Sequence, residues 1–180
     1  MRRKPFNTKW KSPSKGNLEL SEIPEKILEY YNRMKMFNEH INISIGTDSQ
    51  NFSFTKEVNV IAITCEHHGG IFFYKITSRD RINDVRQKLH TETQDSLEIA
   101  DYLVNALTSD EKYEELFLNT HWEIHIDAGY SEKGKTHELI AELVGWVKAQ
   151  GFDAVVKPKE DDPSAPYPSA SSCIADRLSK

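Results

Sequence analysis

The 180-residue chain has no long hydrophobic run and only two cysteines, and each shortage excludes a class of protein. No segment approaches the roughly 20 apolar residues that a membrane-spanning helix requires. The N-terminus also lacks the apolar core of a signal peptide. Cys65 and Cys173 show no metal-ligand spacing, and Cys65 lies in an apolar segment typical of a core strand. We therefore expect a cytoplasmic protein with reduced thiols and no membrane segment.

Acidic residues are missing from the first 18 positions, although the chain as a whole is acidic. Six cations give this segment a charge of +6, so the formal total of −5 leaves about −11 for the remainder. We expect residues 1–19 to form a basic, flexible tail that contacts phosphates while Phe6 and Trp10 stack on bases. The alternative is a tail that is only solvated. Residues 20–180, without internal repeats and with an apolar content sufficient for one core, are expected to form a single domain.

Hydrophobic periodicity predicts an α/β fold with a five-stranded mixed sheet. The predicted strands cover residues 41–49, 58–66, 71–77, 121–127 and 152–157, and the predicted helices cover 21–37, 82–107, 135–149 and a last segment from 169. Three consecutive strands indicate an antiparallel meander, whereas the later strands alternate with helices as in parallel crossovers. The proline-rich, acidic stretch 158–168 is predicted to be an exposed loop or lid.

Four acidic residues fall where these elements are expected to meet at one end of the sheet. Asp48 and Asp127 close two strands, Glu92 lies at the margin of a buried helix face, and Asp176 lies in the last helix. Like charges held together repel, so such a cluster is stable with a cation, and carboxylate oxygens suit Mg²⁺ or Mn²⁺. The hypothesis is metal-dependent phosphodiester chemistry. One alternative is that the aspartates at the strand ends are helix-capping or turn residues. For Asp176 the alternative is an exposed ion pair with Arg177.

Polar residues beside these acids are candidates for substrate binding. Ser49 and Gln50 follow Asp48 directly and are predicted to touch the substrate strand. Lys135 and His137 lie at a predicted helix start, where backbone N–H groups favour a phosphate. For His137 an ordinary surface position is equally compatible with the sequence.

A second motif points elsewhere. Residues 129–136 satisfy the P-loop pattern of nucleotide hydrolases between a predicted strand and a helix. However, Asp127 and Glu132 would place negative charge beside a loop that must hold triphosphate. Only one predicted strand follows, and it ends in Lys157-Pro158 instead of an Mg²⁺-binding aspartate. Nucleotide hydrolysis is therefore the weaker hypothesis.

Six short segments together resemble the ribonuclease-H-like family of the YkuK type. They are Ile-Gly-Thr-Asp-Ser-Gln (45–50), Lys-Leu-His-Thr-Glu-Thr (88–93), His-Ile-Asp-Ala-Gly (125–129), Gly-Lys-Thr (134–136), Lys-Pro (157–158) and Ala-Asp-Arg-Leu-Ser-Lys (175–180). The resemblance implies a ribonuclease-H-like fold and nuclease activity, with Asp48, Glu92, Asp127 and Asp176 as catalytic metal ligands. The first 40 residues lie outside it, and 158–168 is longer than expected for the family.

Taken together, the chain is predicted to be a hydrolase that uses two Mg²⁺ or Mn²⁺ ions to cleave RNA or DNA. The alternative on the same fold is a catalytically silent module that binds nucleic acid or protein. The sequence leaves the choice of nucleic acid and the oligomeric state open.

Overall fold

A computed structural model describes residues 9–128, 135–156 and 170–180. Within these residues a single sheet contains seven strands: β1 (Trp10–Ser12), β2 (Gly16–Leu18), β3 (Ile41–Asn51), β4 (Thr55–Cys65), β5 (Gly69–Arg79), β6 (His121–Ile126) and β7 (Asp153–Val156). Their order across the sheet is β2-β1-β5-β4-β3-β6-β7.

Five α-helices accompany the strands: α1 (Ile23–Met34), α2 (Val85–Thr108), α3 (Glu114–Leu118), α4 (Lys135–Ala149) and α5 (Ala170–Ser179). Short 3₁₀ turns at Leu20–Glu22, Lys35–Phe37 and Glu111–Tyr113 complete the described secondary structure. The helix predicted over 21–37 begins at Ile23, because Ser21 lies inside the first of these turns, where Glu19 and Glu22 form a capping box. Among the described residues, no helix has the length and apolar character needed to cross a membrane.

The predicted mixed sheet is confirmed. β3, β4 and β5 form an antiparallel meander in continuous register, from Ile41↔Cys65 to Asn51↔Thr55 and from Thr55↔Arg79 to Cys65↔Gly69. β6 pairs in parallel with β3, and β7 pairs in parallel with β6. The helices that join these strands act as crossovers, as the alternation of helix and strand patterns predicted.

The prediction of five strands is wrong, because residues 10–18 add two more. Trp10 pairs with Leu18 across a tight turn in which Gly16 adopts a φ of +75°. Lys11 pairs with Tyr74, which joins β1 to the edge of β5. The indole of Trp10 is completely buried in the main core. Trp10 and Ser12 are buried and Lys11 between them is exposed, which is the alternation of a strand with one face on the core. The predicted flexible tail therefore does not extend over residues 10–18. Residues 1–8 lie outside the described part of the chain.

Helices cover the two faces of the sheet unequally. On one face α1, α2 and α4 pack over apolar strand residues such as Ile43, Ile45, Ile61 and Phe73, which are completely buried. On the other face α5 packs over a smaller cluster around Val58, Val60 and Ala175. α5 contacts β3 and β4. The centre of the sheet is thus enclosed by helices from both sides, as expected when strands are nearly continuously apolar.

Strand β3 is longer than the sequence indicated. Asp48 does not close the strand, because the ladder with β4 continues through Asn51↔Thr55. β6 ends at Ile126, which pairs with Thr47, so Asp127 follows directly beside the Asp48 position. The parallel register therefore places these two aspartates side by side at one end of the sheet.

Candidate functional site

Three of the four predicted acids converge. Asp48 on β3, Asp127 after β6 and Asp176 on α5 each offer a carboxylate oxygen, and these oxygens lie within 4.8 Å of one another. Because side chains alternate along a strand, Asp48 lies on the same sheet face as Gly46 and thus faces α5. All three acids are half-buried. Residues that are distant in the sequence therefore form one acidic cluster, which we call the aspartate cluster.

The environment of Asp48 disfavours its charged form. Burial raises the pKa of Asp48, and the neighbouring charges of Asp127 and Asp176 raise it further. The hydroxyl of Ser179 opposes this rise by donating to Asp48 Oδ2 at 2.5 Å, and Lys88 also lowers the pKa. Two like charges and a low-dielectric setting make this position favourable for a divalent cation.

Glu92 lies near the aspartate cluster but on the other side of the sheet. Its side chain is 5% exposed, and its Oε1 accepts a hydrogen bond from Ser49 Oγ at 2.6 Å. Lys88 Nζ lies 3.7 Å from the same oxygen. Burial raises the pKa of Glu92 to about 8, while Ser49 and Lys88 oppose the rise and the charges of Asp48 and Asp127 add to it. Glu92 therefore interacts electrostatically with the aspartate cluster, but its carboxylate is not one of the three that lie within 4.8 Å of one another.

Close packing of α5 on β3 sets the position of Asp176. A Cβ added to Gly46 would lie 3.1 Å from Ser171 Oγ and 3.3 Å from His125 Cβ. Only a glycine leaves room for the first turn of α5 at this point. At the other end of the same helix, Ser179 bonds to Asp48 and Lys180 Nζ lies 2.9 Å from Asp176 Oδ2. The alternative considered for Asp176 was an ion pair with Arg177, and among the described residues its cationic partner is Lys180.

A family profile described as Ribonuclease H-like matches residues 22–180. The chain belongs to this family. The match begins 23 residues before the first segment on which the resemblance was based and includes every element from α1 to α5. The seven-stranded sheet with its antiparallel meander agrees with the assignment.

Two known proteins are similar to this ribonuclease H-like chain, one in the sequence comparison and one in the structure comparison. YkuK of Bacillus subtilis (strain 168), described as an uncharacterized protein, is 29% identical over 153 residues, which are 77% of this chain and 87% of that protein. Among solved structures, the Mos1 transposase catalytic domain, determined with raltegravir and Mg, aligns with a TM-score of 0.29 at 10% identity. That alignment covers 87% of this chain and 63% of the transposase chain.

The predicted substrate-binding residues of the ribonuclease H-like chain have different settings. Gln50 is exposed on β3, two residues beyond Asp48 and on the same face. Ser49 is buried, and its hydroxyl is directed to Glu92. Lys135 begins α4 and His137 lies in its first turn, but their side chains lie outside the described part of the structure. Their contact with a substrate stays a prediction.

The P-loop interpretation gains no support from the fold. The preceding strand β6 ends at the aspartate cluster, and three of the seven described strands form an antiparallel meander. Most of the motif, Gly129–Gly134, and the acidic stretch 158–168 lie outside the described residues.

Sequence reasoning missed two residues that contact the acids. Lys88 lies one helical turn before Glu92, and this i, i+4 spacing is a signal that the sequence did contain. Ser179 lies 131 residues from Asp48, and its contact depends on how α5 crosses the sheet. No local pattern predicts such a contact.

A buried polar network underlies α2 next to Glu92. Ser96 Oγ donates to Thr47 Oγ1 at 2.8 Å, and Asn59 Nδ2 donates to the same oxygen at 3.0 Å. Asn59 also approaches Glu57, whose carboxylate pairs with Arg79. Burial raises the pKa of Glu57 to about 7, and Arg79 opposes that rise. The network fixes the register of α2 on the sheet and so positions Glu92 relative to β3.

Proposed function

We propose that the chain is a divalent-metal-dependent nuclease that hydrolyses phosphodiester bonds of RNA or DNA. One observation carries the proposal: Asp48, Asp127 and Asp176 bring carboxylate oxygens within 4.8 Å of one another on a ribonuclease H-like fold. A cluster of aspartates without a cation would be destabilised by its own repulsion, and the fold keeps it half-buried instead of dispersing it in water. A site that tolerates this repulsion is suited to a positively charged ligand.

The donor set fits Mg²⁺ or Mn²⁺. Carboxylate oxygens are the preferred ligands of these hard cations, and the three aspartates supply them from three different elements. We propose that these three residues hold the ions of a two-ion centre, with Glu92 as a flanking acid whose charge interacts with Asp48 and Asp127. When bound, such ions lower the pKa of a water molecule and stabilise the negative charge that develops on the phosphate and the leaving oxygen.

The protein's own groups would orient this centre. Ser179 donates its hydroxyl to Oδ2 of Asp48 and so restrains the orientation of that carboxylate. Ser49 fixes Oε1 of Glu92, and Lys88 offsets its charge from 3.7 Å. Gln50, Lys135 and His137 are proposed to bind the substrate strand beside the cluster. Asp48 interacts electrostatically with both Asp127 and Asp176, so it would hold the metal centre together with them.

The test is cleavage of a panel of single-stranded, duplex, hybrid and branched oligonucleotides with Mg²⁺ or Mn²⁺. We expect Asp48→Asn and Asp127→Asn each to reduce cleavage at least about a hundredfold, because each removes a charged ligand from the centre. The matched control is Glu98→Gln, which neutralises an exposed acid of α2 and should cleave like the unaltered protein. Circular dichroism melting establishes that each variant is folded.

The alternative function, a silent module that binds nucleic acid, gives a different pattern. In that case Mn²⁺ raises the melting temperature and Asp48→Asn abolishes this rise, yet no substrate is cut. Full cleavage by Asp48→Asn would contradict both versions of the metal site.

A further inference from the structure

The β3–β4 hairpin exposes two aromatic rings at its tip. Phe52 and Phe54 are 44% and 43% exposed, so nearly half of the surface of each residue is accessible. Their ring centroids are 5.9 Å apart at an angle of 37°. The backbone N–H of Phe52 donates to the carbonyl of Phe54 at 2.7 Å, which closes the turn between them.

The base of the hairpin is fixed to the rest of the molecule. Asn51 Nδ2 donates to the carbonyl of Ile82 at 2.7 Å, and Thr55 Oγ1 accepts from the N–H of Ile82 at 2.9 Å. Thr55 in turn donates to Asn51 Oδ1 at 2.7 Å. Because these three hydrogen bonds hold the base of the hairpin, the two rings lie at a defined place. Little conformational entropy is therefore lost when they bind a ligand.

The tip continues the sheet face that carries the aspartate cluster. Asp48 and Gln50 alternate onto one face of β3, and Lys56 joins them because it pairs with Gln50. Phe52 follows Asp48 by four residues, which is roughly 13 Å along an extended strand. The route from the acids to the rings therefore passes one amide and one cation, Gln50 and Lys56.

We propose that Phe52 and Phe54 stack on unpaired nucleobases of the strand whose phosphate lies at the aspartate cluster, with Lys56 on an intervening phosphate. The inference rests on the proposed nuclease function and narrows it to a substrate that is single-stranded beside the cleavage point. Roughly 13 Å corresponds to about four stacked nucleotides at 3.4 Å each. Base faces are common to RNA and DNA, so stacking itself does not choose between them.

Other occupants fit the tip less well. In a duplex the base faces are already stacked on one another and cannot meet a protein ring without unstacking. A stable protein interface needs about 800 Å² on each partner, far more than two half-exposed rings provide. Aromatic rings beside cations are instead the combination used by proteins that bind single strands.

The experiment measures fluorescence anisotropy of labelled oligonucleotides of about 12 residues, at low salt with Ca²⁺ in place of Mg²⁺. Oligothymidine and oligouridine are compared with an abasic strand of the same length, and a gel verifies that each stays uncut. We expect base-bearing strands to bind at least about fivefold more tightly than the abasic strand. In the double variant Phe52→Ala, Phe54→Ala this preference should disappear, while affinity for the abasic strand stays the same.

Three further variants separate stacking from other effects. Phe52→Leu with Phe54→Leu keeps apolar bulk without rings and should also lose the preference. Phe54→Trp should retain it, with indole fluorescence quenched by oligothymidine and not by the abasic strand. Phe37→Ala is the matched control, because Phe37 is also 43% exposed but stacks on His68 at the opposite end of the sheet.

The outcomes distinguish this inference from the proposed function. Cleavage by the unaltered protein with equal affinity for base-bearing and abasic strands would overturn the stacking role and leave the nuclease intact. A base preference that depends on both rings, without cleavage of any substrate, would support stacking and refute the nuclease. A preference that survives in the alanine and leucine double variants also overturns the inference.

Discussion

At the scale of single residues, Glu92 links the candidate site to the stability of the fold. Its pKa is raised from an ordinary 4.5 to about 8, chiefly by burial. Between these values the unfolded chain loses the proton that the folded chain keeps, so rising pH favours unfolding. The contribution of Glu92 to stability is thus present below pH 4.5 and is lost as pH rises toward 8, by at most about 1.4 kcal/mol per pH unit.

Glu92→Gln removes this titration while keeping an oxygen that can accept from Ser49. We expect the variant to match the unaltered protein near pH 5 and to become the more stable of the two near pH 8. Urea denaturation with EDTA at several pH values measures the difference. Other titrating groups, including Glu57, are common to both proteins and cancel. Glu98→Gln is the control for removing a carboxylate from α2; a Glu92→Gln advantage that shrank on raising the pH would mean that Glu92 is ionised and stabilising.

The choice of Glu92 over Glu98 shows what the sequence could predict about single residues. Helical periodicity places Glu92 with the buried face of α2 and Glu98 on the opposite side, and in the structure Glu92 is buried and Glu98 is exposed. The same periodicity could not predict that Ser49 lies opposite Glu92, because that contact depends on the register between α2 and β3. Neighbours within an element are predictable from spacing, whereas partners across elements are not.

At the scale of elements, the contact between α5 and β3 decides whether the aspartate cluster forms. Gly46→Ala would place a methyl group 3.1 Å from Ser171 Oγ and 3.3 Å from His125 Cβ, so these neighbours on α5 and β6 would have to give way by a few tenths of an ångström. Overpacking of this kind destabilises by about 1–3 kcal/mol. Because Asp176 moves with α5, we also expect a smaller rise in melting temperature on adding Mn²⁺. Thermal unfolding with and without Mn²⁺ measures both effects.

A second substitution tests the cause. Ser171 Oγ is the atom nearest to the added methyl group, and within the described residues it is buried without a hydrogen-bond partner. Adding Ser171→Ala to Gly46→Ala should therefore recover part of both losses. Gly145→Ala is the matched control, since a Cβ there meets nothing within 4 Å, and alanine in the middle of α4 should stabilise by about 0.5–1 kcal/mol. Equal losses with and without Ser171→Ala would show that the α5 contact is not responsible.

At the scale of the whole molecule, the order of strands and helices was predictable, and the extent of the sheet was not. The meander and the crossovers follow from the spacing of apolar segments, which determines which strands are close in the chain. β1 and β2 contain only three residues each, too few for alternation to be recognised, and the six cations among residues 1–18 suggested a basic, flexible tail. The two strands form because Lys11 pairs with Tyr74 at the edge of β5 and because Trp10 is buried in the core. Neither contact is visible in the local sequence.

This correction changes what a truncation of the N-terminus should do. Deleting residues 1–18 removes Trp10, which is completely buried and whose ring lies 5.5 Å from Lys75 Nζ. Truncating a buried tryptophan alone costs about 3–5 kcal/mol, so we expect this deletion, like Trp10→Ala, to lower the melting temperature severely. Deleting residues 1–8 leaves both strands in place and should keep the melting temperature. Weaker nucleic-acid binding after the longer deletion would therefore not establish a role for the basic residues.

The shorter deletion isolates the electrostatic role of the N-terminus. It removes Arg2, Arg3 and Lys4, three of the six cations before residue 19. If each neutralises one phosphate, the slope of log affinity against log salt for duplex DNA should become shallower by about 3. A full-length variant with these three residues changed to serine should reproduce the shallower slope at an unchanged melting temperature, because charge and not chain length is responsible. An unchanged slope in both proteins would assign nucleic-acid binding to residues other than 1–8, such as Lys56 on the sheet face of the aspartate cluster.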